Sequence, residues 1–260
     1  MKVRIHPEFI GYEQFIKSIP EEKYAVEEVY CNKRNTVTRA EIEGRMFVIK
    51  KYKVPTFLNR IVYTWIRKSK ARRSFEYADR LLNSGIETAS PVAYIEEKKG
   101  LFFHIGYFVS EYLPYPVLPE AKHLNTEEKA LLEQQFVEFT AHLHEKKIIH
   151  KDYNSNNIFY HKVNGAYRFA LVDINRMAFG KDSLTLWMQA VNQLYSSDDM
   201  ISGAVDFVQR YAEIRKLNAT KCLIVLFKNR RDRQHRDKIK IILKKMFGIQ
   251  KKNGSSYSSH

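Results

Sequence analysis

The chain has few cysteines and lacks any long apolar run. Its two cysteines, Cys31 and Cys222, are too few and too isolated for a disulfide framework or a zinc site, which indicates a reducing compartment. No run approaches the ~18 apolar residues of a membrane-spanning helix. The first residues carry charges and a proline where a signal peptide needs an uninterrupted apolar segment. We therefore expect a cytoplasmic protein, or one that binds a membrane peripherally.

Positive charge is concentrated towards the carboxyl end. The 260 residues carry a net charge of +15 and are 44% hydrophobic, which is enough apolar content for a real core. Residues 215–252 contain 14 Lys and Arg against two Asp, a net charge of +12, so the rest of the chain carries only +3. We predict a basic helix here and a disordered end at 253–260. Such a segment attracts anionic partners, namely nucleic acid, lipid headgroups or phosphorylated glycans.

A cluster of polar residues follows two apolar runs in the middle of the chain. The segment IIHKDYNSNNIFY delivers His150, Asp152 and Asn157, and the segment ALVDINR delivers Asp173. Carboxylate and carboxamide oxygens suit a Mg²⁺ ion that also binds phosphates. A separate carboxylate is needed to orient an attacking hydroxyl and accept its proton. The alternative is a polar loop between buried strands, in which Asp and Asn only form turns.

Lys50 lies in a predicted β-hairpin upstream of this cluster. Residues 31–53 alternate apolar and polar side chains around a Glu-Gly turn, and Lys50 falls near the end of the second strand. Lys51 and Lys53 are neighbouring alternatives. The pattern therefore predicts a strand lysine, either functional or merely solvated.

Helical patterns surround these motifs. Periodicity covers 69–84, where Glu76 is the only glutamate. A capping box at Asn125 begins a second helix that leads directly into IIHKDY. Further helices are predicted at 183–195 and 201–215.

The remaining N-terminal segments are less regular. Residues 54–70 interleave aromatic and cationic side chains, which indicates either a helix packed on a small sheet or an insertion that touches substrate or membrane. Strands are predicted at 92–95 and 107–110, and the chain then breaks at Pro114 and Pro116.

The order of these pieces resembles that of protein kinases. The His, Asp and Asn of H-R-D-x-x-x-x-N fall on His150, Asp152 and Asn157, with lysine in place of arginine. Asp173 falls on the Asp of D-F-G, although Ile and Asn replace Phe and Gly. Phe-Val-Ile-Lys, ending at Lys50, is similar to V-A-I-K, and Ser-Glu-Tyr-Leu before the prolines is similar to a kinase hinge.

This resemblance covers roughly residues 29–176 and implies a two-lobed protein-kinase-like fold of the α+β class. A small antiparallel-sheet N-lobe with one αC-like helix would span 1–113, with the hinge at 110–114. A mainly helical C-lobe would span 114–214, and the basic helix and tail would span 215–260.

Within the kinases, the sequence is similar to the lipopolysaccharide kinases that phosphorylate heptose or Kdo sugars of the lipid A core. The short chain, the GIETASPVAY stretch and the VDINR variant carry this likeness. It implies a phosphotransferase with an alcohol group as acceptor, which uses ATP and Mg²⁺ on a membrane-bound anionic glycolipid. The basic tail would contact the inner membrane surface, and nucleic acid remains an alternative partner.

The resemblance also implies roles for individual residues. Asp152 would be the catalytic base that orients the sugar hydroxyl, and Asn157 and Asp173 would hold Mg²⁺. Lys50 would bind the α and β phosphates of ATP, and Glu76 would fix that lysine.

Two further expectations concern the nucleotide. Backbone groups of the hinge at Glu111 and Leu113 would bind the adenine. No G-x-G-x-x-G precedes Lys50, so backbone N–H groups of the turn at 33–36 would cover the phosphates. Asn175 in place of the D-F-G glycine argues against a phenylalanine-flip switch and favours an unregulated enzyme.

Two other functions remain open. One is a protein or small-molecule kinase of the same superfamily, whose neighbours are the aminoglycoside phosphotransferases and the RIO-type kinases. The lack of an A-P-E-like element and of a long activation segment argues against a peptide acceptor. The other is an inactive kinase-like scaffold that binds RNA or membrane through its tail. Such a scaffold has no physical need to keep Lys50, Asp152, Asn157 and Asp173 together. The sugar, its hydroxyl and the oligomeric state stay undetermined.

Overall fold

The structure, a computed structural model, describes residues 1–32 and 35–246. The chain divides into two compact units, residues 1–182 and 183–260. The strands and the polar motifs lie in the first unit, and the second unit is helical. The end that the sequence predicts to be disordered lies outside the described residues.

Strands occur only in the first unit of the described chain. They are β1 (Lys2–Ile5), β2 (Glu28–Asn32), β3 (Thr36–Ile42), β4 (Arg45–Lys51), β5 (Glu87–Thr88), β6 (Pro91–Lys99), β7 (Phe102–Glu111), β8 (Ile148–His150), β9 (Ile158–Val163), β10 (Ala166–Leu171) and β11 (Met177–Phe179). Six of them form one sheet in the order β1-β6-β7-β4-β3-β2, and every neighbouring pair is antiparallel.

Seven α-helices complete the described chain. They are α1 (Glu13–Ser18), α2 (Phe57–Trp65), α3 (Lys70–Asn83), α4 (Thr126–Glu145), α5 (Leu184–Leu194), α6 (Ile201–Ile214) and α7 (Ala219–Met246). None of these described helices combines the length and the apolar character needed to cross a bilayer.

The predicted hairpin consists of β3 and β4. Glu43 and Gly44 form its turn with positive φ angles of 52° and 76°, a backbone region that glycine enters without steric cost. Lys50 pairs with Val37 on β3 and with Phe108 on β7. The predicted strand lysine is therefore confirmed, and it lies on an inner strand of the sheet.

The first thirty residues, which the sequence presents only as an irregular lead-in with a short helix, complete this sheet. Strand β1 pairs with β6, with Lys2 opposite Glu96. Helix α1 buries Ile16 in the same core cluster as Phe9 and Phe47. The apolar face of the sheet is thus covered by residues that precede it in the chain.

Helix α3 packs closely on the sheet. Its start follows the prediction, because Ser69 caps it by accepting a hydrogen bond from the Arg72 N–H. Gly85, with a φ of 71°, follows its end. A Cβ atom at Gly106 of β7 would lie only 3.1 Å from the Ala71 Cβ. Glycine at this point of β7 allows the helix to approach the strand.

Helix α4 leads into the polar motifs. Its start at Asn125 is confirmed, because the Asn125 side chain accepts a hydrogen bond of 2.9 Å from the Glu128 N–H. After it, β8 pairs with β11, β9 pairs with β10, and β5 joins β10 in parallel. These short strands hold the loops of the candidate site.

The second unit consists of α5, α6 and α7, and the predicted helices at 183–195 and 201–215 are confirmed. The first half of α7 buries Cys222 and Leu226, and the Asn192 side-chain amide donates a hydrogen bond of 2.8 Å to the Leu226 carbonyl. Residues 233–242 of α7 are exposed.

Candidate active site

Two paired strands bring the polar motifs together. Strand β8 ends at His150 and β11 begins at Met177, and these two residues are direct partners. The N–H of Val172 donates a hydrogen bond of 3.0 Å to the Asn157 carbonyl. The loop that follows β8 and the segment that precedes β11 therefore lie side by side, as the resemblance predicts.

His150 connects the two segments. Its Nε2 lies 3.0 Å from the Val172 carbonyl, and its Nδ1 accepts a hydrogen bond of 3.1 Å from the Asp152 N–H. Because Nδ1 is an acceptor, the imidazole is neutral and carries its proton on Nε2. Burial lowers the pKa of His150 below its ordinary value of 6.5, which favours this neutral form.

The loop after His150 is fixed by amide side chains. The Nδ2 groups of Asn157 and Asn154 donate to the Asp152 carbonyl at 2.8 and 3.2 Å. The backbone of Asp152 is thus held through both its N–H and its carbonyl, while its carboxylate is partly exposed. That carboxylate lies 3.7 Å from Nη1 of Arg176.

Asp173 sits in a left-handed backbone conformation, with φ 53° and ψ 40°, which aspartate tolerates better than most residues. Its Oδ1 accepts hydrogen bonds from Lys50 Nζ at 2.7 Å and from the Asn175 side-chain amide at 2.5 Å. Burial raises the pKa of the Asp173 carboxyl, but the charge of Lys50 and the hydrogen bonds from Lys50 and Asn175 outweigh it and bring the pKa below the ordinary value of 3.8.

Lys50 reaches Asp173 from the inner strand β4. Its ammonium also lies 5.5 Å from the centre of the Tyr52 ring. Tyr52 is buried and its hydroxyl lies 2.8 Å from the Ser74 hydroxyl on α3. The structure therefore brings together Lys50 and Asp173, two residues that lie far apart in the sequence.

Glu76 does not make the predicted contact with Lys50. Its carboxylate binds Lys68 at 2.7 Å and Arg72 at 2.8 Å. Arg72 lies one helical turn before Glu76, where an acid and a base on a helix readily pair. These nearer cations pair with Glu76. Asp173 is the carboxylate that pairs with Lys50, in the position predicted for Glu76.

Arg73 is a site residue that the sequence does not reveal. It is buried on α3, where its Nε donates to the Asn175 carbonyl at 3.0 Å and its Nη1 to the Lys68 carbonyl at 2.9 Å. It thereby ties the segment after Asp173 to α3. No sequence signal distinguishes it from its neighbour Arg72, which faces Glu76.

The predicted hinge, residues 110–114, includes the last two residues of β7. The Glu111 N–H donates to the Ser90 carbonyl at 3.0 Å, and the Tyr112 N–H donates to the Met46 carbonyl at 3.0 Å. No hydrogen bond among the described residues uses the Leu113 N–H. The predicted phosphate-covering turn includes Lys33 and Arg34, which lie outside the described residues.

The oxygen atoms of the site fit a hard divalent cation. Asn157 uses its Nδ2 on the Asp152 carbonyl, which leaves its Oδ1 as an acceptor, and the hydrogen bonds to Asp173 use only its Oδ1. Among the described residues, no cluster of three His, Cys, Asp or Glu could hold a metal by itself. A Mg²⁺ ion here would combine Asn157 and Asp173 with oxygens of another molecule, which is its usual mode.

The strand lysine, the H-x-D loop and the aspartate beyond the following hairpin follow one another as in phosphotransferases of the protein-kinase-like class. The fold agrees. The chain is similar to a solved structure of WaaP in complex with acyl carrier protein, with a TM-score of 0.60 and 17% identity over 89% of this chain and 99% of that chain. It is also similar to the Rio2 kinase-ADP/Mg²⁺-phosphoaspartate complex from Chaetomium thermophilum, with a TM-score of 0.51 and 13% identity over 89% and 78%. The predicted α+β, protein-kinase-like fold class is confirmed.

The chain belongs to the lipopolysaccharide kinase (Kdo/WaaP) family, whose family model matches residues 27–204. It is therefore a kinase, that is, a phosphotransferase, and the predicted resemblance is confirmed. No curated protein matches the chain.

Proposed function

We propose that this kinase transfers the γ-phosphate of ATP, with Mg²⁺, to a hydroxyl group on a sugar of the lipopolysaccharide core. Family membership supports the acceptor. The observation that carries the nucleotide chemistry is the 2.7 Å contact between Lys50 Nζ and Asp173 Oδ1. It joins a lysine of the sheet to the carboxylate beside the H-x-D loop.

Asp152 is the base in this proposal, and it accepts the proton of the sugar hydroxyl. Its backbone is held by His150 on one side and by Asn157 on the other, so the side chain starts from a fixed position. Its carboxylate is partly exposed, which leaves it accessible to an acceptor. A base held in place by its own loop loses little freedom when the acceptor binds.

In this proposal the nucleotide is bound by groups of the six-stranded sheet and of the loops that follow β8 and β10. Lys50 binds the α and β phosphates, Asn157 and Asp173 hold Mg²⁺, and backbone groups of Glu111 and Leu113 bind the adenine. The cation, when bound, neutralises charge on the transferred phosphoryl group. The carboxylate of Asp173 is suited to this role because its low pKa keeps it ionised at neutral pH.

A cytoplasmic location with peripheral contact at the inner membrane belongs to the same proposal. Its support is the basic segment 215–252, which carries +12 of the net charge of +15 and whose residues 233–242 are exposed on α7. Anionic headgroups attract such a segment, each cation near the surface adding about 1 kcal/mol.

The experiment is to incubate the purified protein with labelled ATP, Mg²⁺ and a panel of core oligosaccharides, peptides and aminocyclitols, followed by mass spectrometry of the labelled product. We expect label on a core sugar. Label on a peptide or an aminocyclitol would instead support a protein or small-molecule kinase, and no label on any acceptor would support an inactive scaffold.

Two lysine variants make this experiment specific to the site. Lys50→Met should lose transfer, because it removes the ammonium beside Asp173. Lys53→Met is the matched control, since this nearby lysine is exposed and lies after the end of β4. Equal loss in both variants would contradict the assignment of Lys50.

A further inference from the structure

Helix α2 makes polar contacts with the sheet and exposes several of its apolar side chains. Arg60 Nε donates a hydrogen bond of 2.9 Å to the Phe103 carbonyl, and the Phe103 N–H donates one of 2.8 Å to the Thr64 hydroxyl. Leu58 and Ile66, on the helix and at its end, are 74% and 77% exposed. A helix packed on a soluble protein normally places its apolar stripe against the core, and Leu58 and Ile66 depart from that rule.

The exposed apolar surface continues from α2 onto the tip of the β6–β7 hairpin. The Phe102 ring lies 5.5 Å from the ring of Phe57 and 5.5 Å from the ring of Trp65, centre to centre. Leu101, the neighbouring residue at the hairpin turn, is 76% exposed. We call this surface the α2 patch, and its exposed members are Phe57, Leu58, Trp65, Ile66 and Leu101.

The α2 patch is held in place by the contacts of the helix with β7. The two hydrogen bonds to Phe103 and the edge-on contact of Tyr63 with the Phe103 ring, at 5.6 Å, fix the helix on the strand. The exposed face is therefore a feature of the folded unit. Contiguous exposed apolar surface of this kind marks a contact with a partner or a membrane.

Cations surround the α2 patch. A cleft of about 510 Å³ beside it is lined by Trp65 and Ile66 and by a group of cations and one acid, namely Lys2, Arg67, Lys68, Arg72, Lys98 and Glu96. Lys68 and Arg72 bind Glu76, whereas Lys2, Arg67 and Lys98 have no ion-pair partner among the described residues. The cleft therefore has excess positive charge next to an apolar wall.

We propose that the α2 patch and this cleft form a binding surface for an anionic phospholipid bilayer. The apolar side chains would enter the boundary between headgroups and acyl chains, where the rings of tryptophan and phenylalanine are favoured, and the cations of the cleft would meet the lipid phosphates. Apolar and aromatic side chains bordered by Lys and Arg are the chemistry of helices that lie in a membrane interface. This surface uses none of the catalytic residues, so the inference does not depend on the phosphate acceptor.

The chain offers a built-in reporter for this surface. It contains two tryptophans, of which Trp65 lies in the α2 patch while Trp187 is only 5% exposed. We expect the fluorescence of the full chain to shift to shorter wavelength on vesicles of phosphatidylcholine and phosphatidylglycerol, and to be quenched by brominated acyl chains. Trp65→Phe should remove the shift and the quenching. Vesicle binding without any change in Trp65 emission would overturn the inference, because another part of the protein would then make the contact.

A charge-insertion pair tests the same surface by affinity. Leu58→Glu with Ile66→Glu places two carboxylates on the face that would enter the bilayer, and binding to the anionic vesicles should fall by about tenfold or more. The matched control is Ile10→Glu, at a residue that is 62% exposed but lies outside the α2 patch and the cleft. Control and double variant should fold alike, because all three positions are exposed. Equal vesicle affinity of the double variant and the control would overturn the inference.

Two further comparisons separate this result from the kinase reaction. Vesicles of phosphatidylcholine alone should bind more weakly than the anionic vesicles, because the cleft then meets no net negative charge. Transfer to a soluble core oligosaccharide should be unchanged in the Leu58→Glu, Ile66→Glu variant. Loss of that activity would point to a protein-internal role of the α2 patch and would contradict the bilayer surface.

Discussion

His150 is the residue that links the two polar motifs, and it does so only as a neutral imidazole. Its Nε2–H faces the Val172 carbonyl, and its Nδ1 accepts from the Asp152 N–H. A protonated ring would present a second donor to that N–H and lose the hydrogen bond. Burial disfavours the charged ring and lowers the pKa of His150 below 6.5.

This arrangement predicts a pH dependence of stability. In the unfolded chain the imidazole takes up a proton near its ordinary pKa of 6.5, whereas the folded state resists it. The stability that His150 contributes is therefore full above pH 6.5 and is lost as the pH falls below 6.5 towards the folded-state pKa. Urea unfolding between pH 7.5 and about 5.5 should show a steeper loss for the wild type than for His150→Gln. Parallel curves would contradict the neutral, buried imidazole.

Ion-pair partners are the part of the site that the sequence predicts least well. The identities of Lys50, Asp152, Asn157 and Asp173 follow from motif spacing, whereas the partner of Lys50 depends on how α3 lies against the sheet. The contact of Glu76 with Arg72 is one that spacing alone could indicate, since the two residues are four apart on a helix. Arg73 has no such signal, because its partner is a backbone carbonyl 102 residues later in the chain.

Helix α3 is the element that connects the sheet to the catalytic segments. It packs on β7 at Gly106 and binds the Asn175 carbonyl through Arg73. Both contacts are close and buried, so small changes at either point should alter the geometry of the candidate active site.

Loss of the Arg73 guanidinium should release the segment after Asp173. Arg73→Met removes hydrogen bonds to two carbonyls, each from a charged donor, and should lower the free energy of unfolding by about 1–3 kcal/mol. Phosphate transfer should fall as well, because Asp173 is no longer held from α3. Chemical denaturation and the transfer assay measure the two effects. Arg4→Met, at an exposed residue on β1, is the control, and an effect no larger than in this control would contradict the role of Arg73.

The close approach of α3 to β7 can be tested with one methyl group. Gly106→Ala places a Cβ 3.1 Å from the Ala71 Cβ and 3.4 Å from the Ile95 carbonyl oxygen, so helix and strand must separate. We expect destabilisation of about 1–3 kcal/mol, measured by thermal and denaturant unfolding. Gly11→Ala is the matched control, because a Cβ there meets nothing within 4 Å. Equal stability of the two variants would show that α3 moves without cost.

Elements with local signals are predicted well, and elements made by distant pairing are not. The β3–β4 hairpin has an alternating pattern and a Glu-Gly turn, and α3 and α4 have capping residues, so all three are found in the sequence. Strand β1 pairs with β6, with Lys2 opposite Glu96, and β8 and β11 have three residues each. Such strands form only because their partner strands are present, and no local sequence pattern indicates those partners.

At the scale of the whole molecule, the distribution of charge is the dominant feature. Most of the net charge of +15 lies in residues 215–252, and α7 presents its cations between residues 233 and 240 to solvent. The first half of α7 instead packs within its own unit through Leu226 and Asn229. A test of the basic segment should therefore change its charges and leave the helix in place.

Neutralising three exposed arginines and lysines of α7 should weaken membrane contact. Arg233→Gln, Arg236→Gln and Lys238→Gln together should lower the affinity for anionic vesicles, by roughly 1 kcal/mol for each charge that lies near the surface. The effect should shrink as salt is raised, because screening reduces the interaction of exposed charges. Vesicle co-sedimentation at several salt concentrations measures both trends.

The control for this variant removes the same number of positive charges from another part of the chain. Lys122, Lys129 and Lys146 are exposed in the first unit, and their replacement by glutamine should leave vesicle binding less affected. Equal losses would mean that only the total charge matters and that α7 makes no localised contact.

The most direct test of the central claim is transfer of labelled phosphate from ATP to a lipopolysaccharide core oligosaccharide by the wild type and by Asp152→Asn, with ATP binding measured in parallel. Asp182→Asn is the control, at an exposed aspartate of the same unit. Removing a catalytic base typically costs about 10²–10⁴-fold in rate, so the Asp152 variant should bind ATP within a few-fold of the wild type and transfer phosphate at least about a hundredfold more slowly. Unchanged transfer by Asp152→Asn would contradict the account.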